Sequence, residues 1–291
     1  MRSIESCRPQ RSRRVPSAAL RVLLQPCPPL ALLAVAALAV LAAPVQSAEA
    51  SKAPQGDVLT LGAGVAFGPR YSGSDQNRTG LGLTFDYAAS NGFFIGTTRG
   101  AGYGGHAGKI DYSVALGYRE GRRDSNQSSF MGRTGSDYLR GMGEIKGSAT
   151  ALLGLGYTVT DWLRLGLQAE VPLSQRDNGS ALHFGASSPF YSSGSDELTL
   201  GLTGSWGNRK YVQTYYGVTA AQSDASGFRQ YTAKSGIYAY TLQLGWKHKF
   251  DANWSLMASA GAMQLAGDAG NSPIVKRKTA PMGSVFITYS Y

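Results

Sequence analysis

The chain has little of what enzymes commonly use for chemistry. Its 291 residues include three histidines and two cysteines. Both cysteines, Cys7 and Cys27, precede a short apolar stretch near the start. Everything beyond that stretch lacks a disulfide, a thiolate metal site and a cysteine nucleophile. Charged residues are 16%, against about 25% in an average soluble domain. No apolar run reaches the roughly 18 residues that a membrane-spanning helix needs. A hydrophobic share of 43% excludes a disordered chain. What is plentiful is glycine, 38 residues without a G-X-Y period, and tyrosine, 16 residues. Gly-rich, Tyr-rich and poor in charge, the composition argues against an ordinary α/β enzyme and for an all-β protein.

The first 29 residues carry six arginines (Arg2, Arg8, Arg11, Arg13, Arg14, Arg21) against one acid, Glu5. Leu30–Ala43 then gives 14 apolar residues. As a helix these would span about 21 Å, short of the ~30 Å hydrocarbon core. Small residues follow, with cleavage positions after Ala48 or Ala50. Basic region, short apolar stretch and small-residue exit predict a cleaved secretory signal peptide over 1–48. An uncleaved anchor is the alternative. Removing six of the 28 basic and one of the 18 acidic residues leaves 22 against 17, a net +5. Much of the apparent basicity belongs to this leader, so nucleic acid is not expected as a partner. A short periplasmic segment, 49–57, precedes the expected barrel, 58–291.

Period-two alternation dominates the rest. It gives a strand one apolar and one polar face. Leu59, Leu61, Ala63, Val65 and Phe67 alternate with Thr60, Gly62, Gly64 and Ala66. The same pattern recurs over 81–87, 110–118, 153–159, 163–171, 197–206, 240–247 and 285–291, with weaker segments near 92–100, 211–218 and 253–265. Segments of about 9 to 13 residues exceed the 5 or 6 typical of soluble strands and suit tilted membrane strands. Aromatics near segment ends, among them Phe67, Tyr71, Tyr87, Tyr118, Tyr157, Trp162, Trp206, Trp246, Phe250 and Trp254, suit headgroup girdles. A soluble sandwich is the competing reading. The fold expected is an antiparallel transmembrane β-barrel of the outer membrane, with ten or twelve strands, since single-chain bacterial barrels have even counts. The doubtful regions are 92–108 and 180–187.

Tight connectors are expected at Ser90-Asn91-Gly92, Thr160-Asp161-Trp162, Gly207-Asn208-Arg209 and Asp251-Ala252-Asn253. Long connections are expected at about 120–137, 174–195, 219–236 and 267–280. The final strand sets Val285, Ile287, Tyr289 and Tyr291 on one parity and ends on an aromatic. This resembles the C-terminal signal by which the outer-membrane assembly machinery recognises its clients.

The search for chemistry is largely negative. His106 lies in a Gly-rich stretch read as a turn, His183 in a poorly patterned one, and His248 on the parity of Trp246, facing the membrane interface. None pairs with a nucleophile in sequence, no two are close enough for a metal, and no cofactor is expected. The presumed inner face carries Asp86, Asp111, Arg119, Arg164, Glu170, Glu197, Lys247 and Lys249, which suits either an internal ion-pair network or a selective pore. Two basic clusters, Arg119/Arg122/Arg123 and Lys276-Arg277-Lys278, could meet lipopolysaccharide phosphates, murein or an acidic partner, or be solvated loops.

The loops carry specific words. GVTAAQSDASGFRQY holds Gly217, Val218, Thr219, Gln222, Ser223, Ser226, Gly227 and Tyr231; LAGDAGNSPIVKRK holds Ser272, Pro273, Ile274 and Val275. With Pro69-Arg-Tyr71-Ser-Gly73-Ser74, Leu139–Ile145, the leader and the aromatic end, the chain resembles the MipA/OmpV family of outer-membrane proteins across its mature length. The resemblance implies a non-enzymatic barrel. It implies a scaffold joining a murein lytic transglycosylase to a penicillin-binding protein, or alternatively a surface adhesin. A narrow channel for small solutes is a further alternative from the Gly- and Thr-rich inner face. A monomer is expected. The motif words are either structural or contact residues; Gly, Ser and Pro suit shaped loops in both cases.

Overall fold

A backbone in hydrocarbon must pair every N–H and C=O internally, which strands achieve only by closing on themselves. The chain does this. A computed structural model describes residues 56–129 and 132–291. The expected signal peptide and most of the segment 49–57 lie outside these. The strands are β1 (Val58–Pro69), β2 (Asn77–Ala88), β3 (Phe93–Gly96), β4 (Gly100–Ala107), β5 (Ile110–Arg119), β6 (Gln127–Ser129), β7 (Gly132–Thr134), β8 (Ser148–Thr160), β9 (Leu163–Pro172), β10 (Ala181–Ser192), β11 (Asp196–Gly207), β12 (Gly236–Lys249), β13 (Trp254–Leu265) and β14 (Thr279–Ser290). Twelve of them form a closed antiparallel barrel; β6 and β7 make a separate two-stranded sheet. No described helix is long and apolar enough to cross a membrane.

Closure joins β1 to β14 in register from Thr60↔Ser290 to Phe67↔Gly283. Odd-numbered apolar residues of β1, β2, β8 and β14 point outward and are exposed, including Leu61, Val65, Leu81, Leu83, Leu153, Leu155, Val285 and Ile287. In water such a belt would be a large unpartnered patch; against lipid tails it is the solvated face. The inner face is small. A side chain on Gly64 would collide with the Val285 carbonyl and Phe286, so glycine there lets the closing strands meet.

The start of β1, the end of β14 and the connections 89–92, 108–109, 161–162, 193–195 and 250–253 lie at one end. The other end carries loops L1 to L6: 70–76, 97–99, 120–147, 173–180, 208–235 and 266–278. Short turns mark the periplasmic side of outer-membrane barrels, so the long loops face out.

Several expectations need correction. Gly207-Asn208-Arg209 is not a hairpin turn. Asn208 caps helix α1 (Arg209–Tyr216), its Oδ1 accepting from Tyr211 N at 2.9 Å. The weak strand expected at 211–218 is therefore helix. Tyr211 and Tyr215, one turn apart, stack with centroids 4.7 Å apart, a helical spacing that mimics alternation in Tyr- and Val-rich sequence. The long connection expected at 174–195 contains strand β10. A register shift between Pro189 and Tyr191 breaks its parity and hides it. The doubtful 92–108 is the pair β3–β4. His106 lies on β4 opposite Asp111 rather than in a turn. The connections expected at 120–137 and 219–236 are longer, 120–147 and 208–235.

The seam between first and last strands makes a direct prediction. Gly64→Val should abolish the compact, heat-modifiable form on cold electrophoresis in dodecyl sulfate. Gly166→Val, where an added side chain meets nothing within 4 Å, should retain it.

Candidate functional site

The long loops fold together over the outer mouth. Helix α1, helix α2 (Ala220–Ser226) and the short helix α3 (Gly267–Gly270) belong to L5 and L6. Val212 and Tyr216 of α1 bury against Ala181, Tyr238, Ala239, Leu265 and Met282 at the upper ends of the wall strands and against Ala269 of α3. A second core joins Tyr71 of L1, Leu139 and Met142 of L3, Val218 of L5 and Ile274 of L6. Four loops thus meet at one apolar centre. Tyr71 is not a girdle residue, as its position suggested; it is buried there, its hydroxyl donating to the Ile274 carbonyl at 3.0 Å.

The motif words are the joints of this cap. Thr219 and Gln222 form a capping box at the start of α2: Gln222 N donates to Thr219 Oγ1, and Thr219 N to Gln222 Oε1. The same Gln222 side chain donates Nε2 to the Met142 carbonyl at 2.7 Å, tying L5 to L3. Ser223 Oγ donates to the Phe228 carbonyl and Ser226 Oγ to the Gln222 carbonyl. Gly227 ends the helix at φ 79°, a left-handed cap that favours glycine. Val218 and Tyr231 pair through their backbones, and the Tyr231 hydroxyl donates to the Asp268 carbonyl at 2.9 Å. Gly217 follows α1, where a side chain would strike Gln213. Ser272 Oγ donates to the Tyr216 carbonyl, Pro273 turns the chain, Ile274 is wholly buried and Val275 packs against the first core.

Burial sets the electrostatics. Desolvation pushes the Tyr71, Tyr211 and Tyr216 hydroxyls well above the usual phenol range. Desolvation also pushes Arg122 down to about 10, with Tyr71 and Tyr215 pulling the other way. Arg122 stays charged at neutral pH and donates to the Tyr215 carbonyl at 2.7 Å.

The expected basic clusters are not free patches. Arg119 points inward, Arg122 is buried in the cap, and Arg123 reaches Glu144 at 3.4 Å. Lys276 pairs with Asp75 at 3.2 Å, Arg277 donates to Asn77, and Lys278 donates to Asn271. Below the cap, Arg119 bonds Glu170 at 3.0 Å and donates to the Gly179 carbonyl at 2.8 Å, bolting L4 to the wall. Its guanidinium lies 4.9 Å from the Tyr211 ring centre. His183 belongs to this lumen cluster, not to a loop: Nδ1 is 2.9 Å from Ser205 Oγ and Nε2 is 4.0 Å from Glu170. Asp86 pairs with Arg99 at 2.5 Å. His248 sits beside Trp246 and Phe250 at the periplasmic rim, 2.8 Å from Asp196. Among the described residues no group of three or more His, Cys, Asp or Glu is placed to hold a metal.

At the periplasmic rim Asp57, Tyr87, Ala89, Ser90, Asn91, Phe93 and Tyr103 line a hollow of about 450 Å³. Asp57 accepts from the Tyr87 hydroxyl at 2.6 Å and from Ser90 N at 3.0 Å, and these bonds hold its carboxyl below the usual range. The closing strand sets Val285 and Ile287 outward, with Tyr289 edge-on to Trp254 and Tyr291.

Residues 61–291 match the family described as "MltA-interacting protein MipA". The chain belongs to this family. It is 29% identical over 101 residues to the MltA-interacting proteins of Escherichia coli (strain K12) and Shigella flexneri. That stretch is 35% of this chain and 40% of each relative, so most of their length lies outside the match. Among solved structures, the KdgM porin aligns over 80% of this chain and 99% of its own, at 12% identity and TM-score 0.42. The Pseudomonas putida toluene transporter TodX aligns over 87% and 93%, at 10% identity and TM-score 0.41. The chain is an outer-membrane barrel of the MipA family.

Ile274→Ala should loosen the cap without opening the barrel. Truncating a buried isoleucine costs about 2–5 kcal/mol. Amides of 217–231 should exchange faster while those of β1 and β14 keep their protection. Thr219→Ala removes one cap bond worth about 1 kcal/mol and should show a smaller effect confined to α2.

Proposed function

We propose that this protein is a non-enzymatic scaffold that docks murein-remodelling enzymes, a lytic transglycosylase and a penicillin-binding protein, at the inner surface of the outer membrane. The observation that carries this reading is the family match over 61–291. The fold is in keeping with it. The motif residues are spent on holding loop to loop at the outer end, which leaves the short turns and the rim hollow at Asp57 and Phe93 to meet periplasmic partners. Val285, Ile287, Tyr289 and Tyr291 suit recognition by the assembly machinery, since they form one edge-facing parity on the strand that closes the barrel. Arg123 and Lys276 are exposed in the cap, and contact with lipopolysaccharide phosphates would have to compete with their acidic neighbours Glu144 and Asp75. The scaffold needs no second copy, and we read it as a monomer exported through a cleaved signal peptide.

A channel along the barrel axis is less favoured. The cap cores and the Arg119–Glu170 cluster stand in the path that an open pore would need.

A photo-activatable amino acid at Asn91 or Ala252, in cells that retain their murein, tests the scaffold. Adducts with a lytic transglycosylase or penicillin-binding protein from these turns, and none from Arg229 in the cap, are expected. Recovery of assembly machinery alone from all three positions would overturn it.

A further inference from the structure

The hollow at the periplasmic rim opens on the outside of the wall, not into the lumen. Tyr87 has the parity of outward Leu83 and Phe85 on β2, and Phe93 that of outward Ile95 on β3. Tyr103 of β4 is 56% exposed. Phe93 stands opposite Tyr103, their rings edge to face with centroids 5.4 Å apart. One step further up these strands, Phe85 and Ile95 are exposed to the apolar band. The aromatic side of the hollow therefore sits where the band gives way to turns, at headgroup depth in the periplasmic leaflet. Asp57, which precedes β1, and the turn 89–92 complete it. That turn is tied down: Ala89 N donates to the Phe93 carbonyl at 2.8 Å, Phe93 N to Asn91 Oδ1 at 2.9 Å, and Gly104 N to the Gly92 carbonyl at 3.0 Å.

Asp57 accepts from three neutral donors: the Tyr87 hydroxyl, Ser90 N and, at 3.2 Å, Ser90 Oγ. A carboxylate has about four acceptor positions. No cation among the described residues pairs with it. Its charge is thus held in place and left unbalanced. A fixed carboxylate beside aromatic rings suits an ammonium group: the carboxylate supplies charge and an acceptor, and the ring faces attract the cation. The outward aspect of the hollow decides the source, since a lipid headgroup is what meets it at that depth. An anionic headgroup would be repelled by Asp57. A choline keeps the charge but has no N–H to give to the carboxylate. We propose that the hollow binds the primary ammonium headgroup of a periplasmic-leaflet phospholipid of the ethanolamine class, with Asp57 accepting from the ammonium beside Tyr87, Phe93 and Tyr103. The chains of the same lipid would lie along Phe85 and Ile95. The proposal refines the scaffold reading at one point but does not rest on it: the hollow goes to lipid, and the turns 108–109, 161–162, 193–195 and 250–253 stay free for protein partners.

The test uses the full mature protein folded in detergent. It is offered equal amounts of phosphatidylethanolamine, phosphatidylcholine and phosphatidylglycerol with identical chains, and retained lipid is counted by native mass spectrometry. Phosphatidylethanolamine should be retained several-fold over the other two. Asp57→Asn should abolish that preference in the folded, heat-modifiable fraction. Should that variant not fold, Tyr103→Leu keeps the apolar bulk, removes the ring and should reduce the preference. Asp251→Asn alters a carboxylate in another rim turn, where it accepts from Asn253 N and Trp254 N, and should change nothing. Equal retention of the three lipids by the unaltered protein would overturn the proposal, as would equal losses from Asp251→Asn and Asp57→Asn. Displacement of the lipid by soluble glycerophosphoethanolamine at equal concentration would overturn the membrane as source. None of these outcomes alters the adducts expected at Ala252, so the scaffold reading stands or falls separately.

Discussion

Everything in this molecule follows from one constraint: a strand in hydrocarbon cannot leave its backbone unpaired. The first strand must therefore find the last, and β1 pairs with β14 over eight residues to close the ring. That seam dictates composition at both ends of the chain. Gly64 lacks a side chain because the Val285 carbonyl and Phe286 stand where one would go. Val285 and Ile287 face outward because Phe286 and Thr288 must face inward. Alternation, small inner residues and an aromatic end are consequences of closure rather than separate features.

The same constraint frees the outer end. Once the wall is sealed, the loops above the membrane can be long and folded, since water or neighbouring loops satisfy their polar groups. Here they satisfy one another. Gln222 serves its own helix through the capping box and a second loop through Met142. Ser272 bonds the end of α1, and Tyr71 bonds Ile274. These are hydrogen bonds between distant segments of sequence, made by short polar side chains at an apolar centre. Such a network rigidifies when complete and fails when one member is lost. The family words are therefore joints of the cap.

Legibility in the sequence tracked how directly each feature depends on period two. The long outward-alternating strands could be read because lipid imposes the same apolar parity on each. β10 could not, because its inward His183, Gly185 and Ser187 flank few large apolar residues and the shift at Pro189 changes parity midway. Helix α1 was concealed for the opposite reason. Tyr211, Val212, Tyr215 and Tyr216 have strand propensity, and only the Asn208 cap marks a helix start. The short reach of β3 and β4 had no signal but weak alternation over 92–108, which read as doubt about a strand rather than as two short ones. The cap was visible as words of unusual composition, yet which loop each word touched depends on contacts 80 residues apart and more, as for Gln222 and Met142. The lumen position of His183 could have been inferred from its parity against outward Phe184, had β10 been recognised.

A barrel has three places to act: its two ends and its wall. In this one the outer end is occupied by its own loops, and Arg119, paired with Glu170, ties L4 to the upper wall. The periplasmic end keeps the short turns and the hollow beside Asp57, which is pinned by Tyr87 and Ser90 and so offers a fixed surface rather than a mobile one. The wall is closed by the β1–β14 seam, with β3 and β4 its short members.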